Sequence, residues 1–394
     1  MDAFVIWHWI LYILGIIICF HLLFPMVLFL CWKFSVKPVR SLNTVTTNRD
    51  YGIILTAYEQ VDFVADAVKS LLDMDYLNFH IYVVADNCKP SEALIFTDDR
   101  VDVLFPENVL ASNTASHFYA IEHFRRQHQT ILIMDSDNLA HPQLINELNR
   151  YFGLGFHAVQ GLRSAKNLET TIACLDAARD IYYHFYDGKV IFELGSSATL
   201  AGSGMAFDSQ LYIRMLKDID IKGAGFDKVL QARLIAGGER IAFAQDAIVY
   251  DQKTSAPKQL VSQRSRWIAT WFKYFKFGFG ILYQGVAGAN LNQLIFGTVL
   301  LRPPLFIFLS LAVLLMVISL FTTQLLALVV FFSLIIYVIS FLIPVLSKTT
   351  DKKIRRALVF IPKFIFYQFV SLAKSVFSSK PNVATRHSLK NNSR

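Results

Sequence analysis

The sequence predicts an α/β domain on a mostly parallel sheet, set between membrane-spanning helices. Three observations predict it: charge-free apolar runs at both ends of the 394-residue chain, strand-length apolar segments alternating with amphipathic ones between them, and aspartates placed directly after several of those segments. At 54% hydrophobic residues and a mean hydropathy of +0.41, the chain is more apolar than an ordinary soluble globule.

Residues 1–40 form the first element. From Phe4 to Trp32 there is no Asp, Glu, Lys or Arg; 29 helical residues reach about 43 Å, more than the ~30 Å hydrocarbon core. A tilted or Pro25-kinked transmembrane helix fits better than a cleaved signal peptide, because no basic residue precedes the run and it exceeds the roughly 7–15 apolar residues of such peptides. A second charge-free run, Pro303 to Ser347, is divided by Thr322, Thr323 and Gln324 into a hairpin of two spanning helices over 303–347. Before it, residues 276–302 read as interfacial helices. Lys33, Lys37 and Arg40 follow the first span, Arg302 precedes the second, and Lys348, Lys352, Lys353, Arg355 and Arg356 follow the third. The positive-inside rule then predicts an outside N-terminus and a cytosolic domain over 41–275, and the plasma membrane is the expected location.

The formal charge of +8 is a property of the tail. Residues 348–394 carry eleven Lys/Arg against one Asp, which leaves 27 basic and 29 acidic residues elsewhere. Within that tail Ala357 to Phe377 is aromatic-rich and interrupted by Lys363 and Lys374, the pattern of an interfacial helix on anionic lipid. With no basic patch in the folded part, no nucleic-acid partner is expected. The four cysteines, Cys19, Cys31, Cys88 and Cys174, make neither a disulfide framework nor a metal-binding spacing.

Between the spans, GIILTAY (52–58), HIYVVAD (80–86), VDVLF (101–105), TILIMDSD (130–137) and HAVQG (157–161) have strand length and β-branched content. Helical stretches separate several of them: Asp62–Leu72, Ala115–Gln127 and Pro142–Tyr151. Such repetition implies right-handed crossovers and a ligand site beyond the carboxyl ends of the strands. Thr56, Asp86 and the pair Asp135/Asp137 each follow an apolar run, so three strands bring polar groups to one edge. Asp135 and Asp137 fit either a Mg²⁺ or Mn²⁺ site completed by substrate phosphates or a loop capping the next helix. Asp227, opening the stretch FDKVLQARLIAGG, fits either a first-turn acceptor of N–H groups or a functional carboxylate.

The succession TAYEQ, VVADNC, ILIMDSDN, LAGSGMAF, GFDKVL and QRSRW over residues 51–275 resembles the membrane-bound family 2 glycosyltransferases of GT-A fold, which include cellulose, hyaluronan and chitin synthases. The resemblance implies that Thr56, Tyr58, Asp86 and Asp135 hold a UDP-sugar donor and that Asp135 and Asp137 bind Mn²⁺ or Mg²⁺. It makes Asp227 the general base of an inverting transfer, puts Gly202 and Ser203 beside the acceptor, and aligns Gln263, Arg266 and Trp267 with the QxxRW motif of the diphosphate and acceptor site. Arg163 and Lys166 are either structural or near the diphosphate. In such a displacement the base takes the proton of the acceptor hydroxyl, the metal neutralises the leaving diphosphate, and no covalent nucleophile is needed. A two-carboxylate hydrolase would leave QxxRW and the membrane segments unexplained.

The chain departs from the pattern at Phe226, where the family has an acidic residue that would flank the base, and at Ser112 and Asn113, where it has a Gly-Lys pair; TAYEQ also lacks an Asn before its Glu. Phe226 is expected to tune Asp227 by desolvation. The expected product is a growing polysaccharide, with membrane lipid around the enzyme and an oligomer or secretion partner completing a channel that three spans leave meagre. The alternatives are single transfer to a lipid acceptor and an impaired subunit that only binds nucleotide or glycan. In QRSRWIATW, Arg266 and Trp267 are assigned to substrate, Trp271 to a membrane-interface belt, and Arg264 to solvent or lipid.

Overall fold

The computed structural model describes residues 3–35, 47–219, 221, 224–347 and 350–377. Lys37, Arg40, Lys348 and the basic tail beyond 377, on which part of the topology argument rests, lie outside them.

Among the described residues, eight strands make one sheet: β1 (Tyr51–Tyr58), β2 (Phe79–Asp86), β3 (Val101–Leu104), β4 (Thr130–Asp135), β5 (Leu139–Ala140), β6 (Ala158–Ala165), β7 (Met205–Asp208) and β8 (Ile241–Asp251), in the order β3-β2-β1-β4-β7-β6-β8-β5. The half containing β3, β2, β1 and β4 is parallel, as expected. The other half is mixed: β7 runs antiparallel to β4 and β6, and β5 antiparallel to β8. Strands of four and two residues give no readable period, which is why the sequence conceals them. Along β1, Ile53 and Leu55 enter one core and Ile54 the opposite one, so both faces are covered and the strand reads as a continuous apolar run.

Helices α2 (Val64–Leu72) and α4 (Leu144–Gly153) cover the first face. On the second lie α3 (Asn113–Glu122), α7 (Ser209–Leu216) and α8 (Phe226–Ala236). The helix expected from Ala115 starts at Asn113 because the Ser112 hydroxyl caps it, accepting from the Ala115 N–H at 3.4 Å. One excursion went unread: α5 (Thr171–Tyr183), a π-helical turn over His184–Val190 and the short α6 (Ile191–Glu193).

Among the described residues, four helical stretches are long and apolar enough to cross a membrane: Val5–Ser35, Leu305–Thr322, Gln324–Val345 and Lys352–Lys374. The first is most of α1 (Ala3–Ser35), unbroken through Pro25; the next two are α12 (Leu305–Thr322) and α13 (Gln324–Val345). The fourth joins α14 (Lys352–Ala357) to α15 (Ile361–Phe377), a segment the sequence places on the bilayer surface but whose length and composition also suffice to cross. Helices α10 (Phe277–Ala287) and α11 (Leu291–Leu301) pack against each other and α8. Their 11 residues each reach about 16 Å, half a hydrocarbon core.

Buried histidines make the fold acid-sensitive. Burial pulls His117 down to about 3, and His128 and His184 down to about 4. An unfolded chain takes up these protons near pH 6.5 while the folded one refuses them until about pH 4, so the contribution of the three histidines to stability is full above pH 6.5 and is lost as pH drops toward 4. The thermal midpoint is expected to hold from about pH 8 to 7 and to decline steadily below; a midpoint unchanged at about pH 5 would contradict the account.

Candidate active site

The parallel register brings the predicted strand-end residues to one edge. Thr56 pairs with Asp135 across β1 and β4, and Tyr58 with Asp86 across β1 and β2. Beyond that edge lies a cavity of about 870 Å³. Thr56, Tyr58, Asp86, Asp135, Asp137, Gly202, Asp227, Gln263, Arg266 and Trp267 all line it. Left-handed backbone, which costs non-glycine residues energy, follows β1 at Glu59 (φ 57°) and β2 at Asn87 (φ 53°) and recurs ahead of α3 at Ala111 (φ 47°), which lines the cavity. Asp86 shows what holds one of them: its two carboxylate oxygens accept the backbone N–H groups of Leu110 (2.9 Å) and Ala111 (2.8 Å), fixing the loop that leads into α3.

Ser203 is placed differently from its expected acceptor role. It is fully buried behind the cavity wall, where its hydroxyl accepts the Asp135 N–H at 3.1 Å and lies 2.6 Å from the Asn138 amide. It therefore braces the DSD turn from below. With the Asn138 amide oriented to satisfy both of its ends, its nitrogen donates to Asp137 (3.0 Å) and Asp251 (3.2 Å). Burial, then the charge of Asp137, with smaller additions from Asp251 and Asp227, pushes Asp135 up to about 7. This concentration of negative charge is what a divalent cation would relieve. No cluster of three or more His, Cys, Asp or Glu suited to a metal occurs among the described residues, so protein would supply only the aspartate pair and substrate oxygens the remainder, the usual pattern for Mg²⁺ and Mn²⁺.

Asp227 sits in the first turn of α8, 3.2 Å from Lys228, whose ammonium also reaches the Leu200 carbonyl at 3.3 Å. Phe226, expected to act on Asp227 by desolvation, is buried with its ring edge-on to His117, 5.0 Å between centroids, and serves the core. The helix is capped by Gly225 at φ +108°, and a Cβ there would lie 2.5 Å from Tyr274 and 2.8 Å from Thr270. Both contacts belong to α9 (Pro257–Tyr274), which carries Gln263, Arg266 and Trp267. Gly225 thus seats the start of α8 on the QRSRW helix. Gly225→Ala is expected to lose about 1–3 kcal/mol of stability and to reduce turnover at unchanged donor affinity; unaltered kinetics would contradict this docking role.

A relay of buried charges, not evident in the sequence, lies beside this helix. Arg163 donates to the Ala201 carbonyl (2.5 Å) and to Asp251 (2.6 Å). Asp251 also binds Lys253 (2.6 Å), which pairs with Asp180; Asp180 pairs with Arg179, Arg179 with Asp176 (3.6 Å), and Asp176 with Arg264. Burial works to raise Asp251 and Asp180, but the adjoining cations hold both below the usual carboxylate range. Arg264, expected in solvent or lipid, is 3% exposed, and burial followed by the charge of Arg179 pulls it down to about 10. The relay ends on Trp267: the Arg179 and Arg264 guanidinium carbons lie 4.5 and 4.1 Å from its ring centroid. A second buried pair, Arg302 with Asp187, faces the same cavity. Asp176, Arg179 and Asp180 are spaced to share one helix face, the signal that could have found them. Lys166 stands apart over the Phe63 ring, 5.4 Å away, and Trp271 lines the cavity with its ring on Phe275, 4.8 Å away.

No curated protein sequence matches the chain. Among solved structures, the mannosyltransferase PcManGT from Pyrobaculum calidifontis, in complex with GDP-Man and Mn²⁺, superposes with a TM-score of 0.55 at 13% identity, over 94% of this chain and 100% of its own. TarS of S. aureus gives 0.37 at 13% identity over 59% of this chain and 40% of its own. Its 1–349 portion with UDP gives 0.39 at 11% identity over 59% and 65%. The family described as Glycosyltransferase like family 2 matches residues 48–270, more than half the chain, and the chain belongs to that family of transferases.

Proposed function

We propose that the protein is an inverting glycosyltransferase that moves a sugar from a UDP-sugar to a hydroxyl presented at the membrane. One observation carries the reading: the strand-edge aspartates, Asp227 and the QRSRW helix all open on a single cavity. Asp135 and Asp137 would hold the divalent metal, which supplies charge neutralisation of the leaving diphosphate. Thr56 and Tyr58 flank the nucleotide end, and Arg266 offers a fixed fork of donors to the diphosphate. Asp227 takes the acceptor proton, Lys228 keeps its carboxylate oriented, and Trp267, held by two guanidinium groups, supports the acceptor sugar from below.

Repeated transfer to a growing glycan is the expected outcome, with the catalytic domain cytosolic at the plasma membrane. Transfer to a lipid acceptor is favoured by a separate observation, the reach of the same cavity between the apolar helices. The test is full-length protein in lipid with Mn²⁺ and each of UDP-Glc, UDP-GlcNAc, UDP-Gal, UDP-GlcA and GDP-Man, the last included because the mannosyltransferase neighbour holds it. Nucleoside diphosphate release with one donor, lost with EDTA, and product length give the answer. Background release with every donor would leave only a binding role.

A further inference from the structure

Beyond Trp267 the cavity wall turns apolar. Leu309 of α12, Val338 and Phe341 of α13, and Ile361, Phe364 and Ile365 of α15 form it. Val338 lies seven residues before the end of α13 at Val345, about 10 Å into that helix, and Leu309 about 6 Å into α12. Helix α15 packs on α9 and touches α12, and the cavity runs between it and α13, two stretches long and apolar enough to lie in a bilayer. A water-soluble sugar has no use for such a wall, whereas a hydrocarbon chain does.

The polar end of this cavity is incompletely satisfied. Arg264 binds Asp176 through one terminal nitrogen, but its Nε and second terminal nitrogen are buried without a hydrogen-bond partner, as is the Trp271 indole nitrogen on the same helix. Buried donors left in this state cost energy that an oxyanion would recover. Arg179 and Arg302, each paired with a buried carboxylate, line the cavity beside Arg264.

We propose that the opening between α13 and α15 admits the chain of a membrane lipid whose anionic phosphate head rests against Arg264 and Trp271, bringing a lipid-borne acceptor to Asp227. Its catalytic consequence rests on the transferase reading above; the binding itself does not. The experiment uses the full chain in phosphatidylcholine bilayers with a diazirine-bearing long-chain alkyl monophosphate, the corresponding alcohol as the second arm, and mass-spectrometric mapping of the photolabel. The phosphate probe is expected to label residues 338–342 and 361–365 about tenfold more than the alcohol does, the scale of one charge-assisted hydrogen bond. Equal labelling by both probes would overturn the headgroup site. Labelling spread over lipid-exposed positions such as Ile16 and Phe332, without enrichment at the opening, would overturn the portal. No nucleotide sugar is present, so this result stands apart from any failure of the transfer assay.

Discussion

Asp227→Asn is expected to reduce sugar transfer by about 10²–10⁴-fold while the protein folds normally and binds donor as before, because a positioned general base contributes that much and an amide preserves shape without accepting the proton. The carboxylate stands in the first turn of α8, where helix N–H groups favour negative charge, and Lys228 at 3.2 Å restrains it. Nothing in the core depends on it: the adjoining Phe226 does the packing. The measurement is kcat against KM for the donor alongside the thermal midpoint. A large fall in kcat with both other quantities unchanged is the expected pattern. Retained turnover would remove Asp227 from the chemistry.

Arg264→Ala is expected to fail for a different reason from Arg266→Ala. Removing Arg264 leaves Asp176, itself only 3% exposed, with the longer 3.6 Å contact to Arg179 as its ion pair, and since breaking a buried pair outright costs about 3–5 kcal/mol, a loss of up to that size is expected. It also takes away one of the two guanidinium groups holding Trp267. Thermal midpoint and transfer should fall together, and Asp176→Ala in the same chain should restore part of the midpoint without restoring transfer, since the under-compensated buried charge is removed while the lost support of Trp267 is not replaced. Arg266→Ala should abolish transfer with a near-native midpoint. An Arg264→Ala protein as stable as wild type would contradict the relay.

These two arginines also show how far the sequence could be read. Gln263, Arg266 and Trp267 identified the motif, and the parallel strands β1, β2 and β4 were legible because each is a continuous apolar run that ends in a polar residue; the register of Thr56 with Asp135 and Tyr58 with Asp86 follows from that placement. What Arg264 touches was not legible, since its partner Asp176 is 88 residues away on a helix whose charged residues resemble a solvated face until α9 packs over them. Ser203 was invisible for the same reason. Its position beside Gly202 suggested an acceptor contact, but one residue further along the turn the side chain points under the DSD loop and binds its backbone. The antiparallel strand β7, four residues long, is fixed by pairing with β4 and β6 and has no local signature.

The central claim is a single displacement in which Asp227 activates the acceptor and no group on the enzyme bonds to the sugar. It is tested most directly by the anomeric configuration of the product, read by proton NMR of the new glycosidic bond after one round of transfer from whichever α-linked donor is turned over. A β-linked product is predicted. An α-linked product would require a covalent intermediate or a same-face attack and would contradict the account.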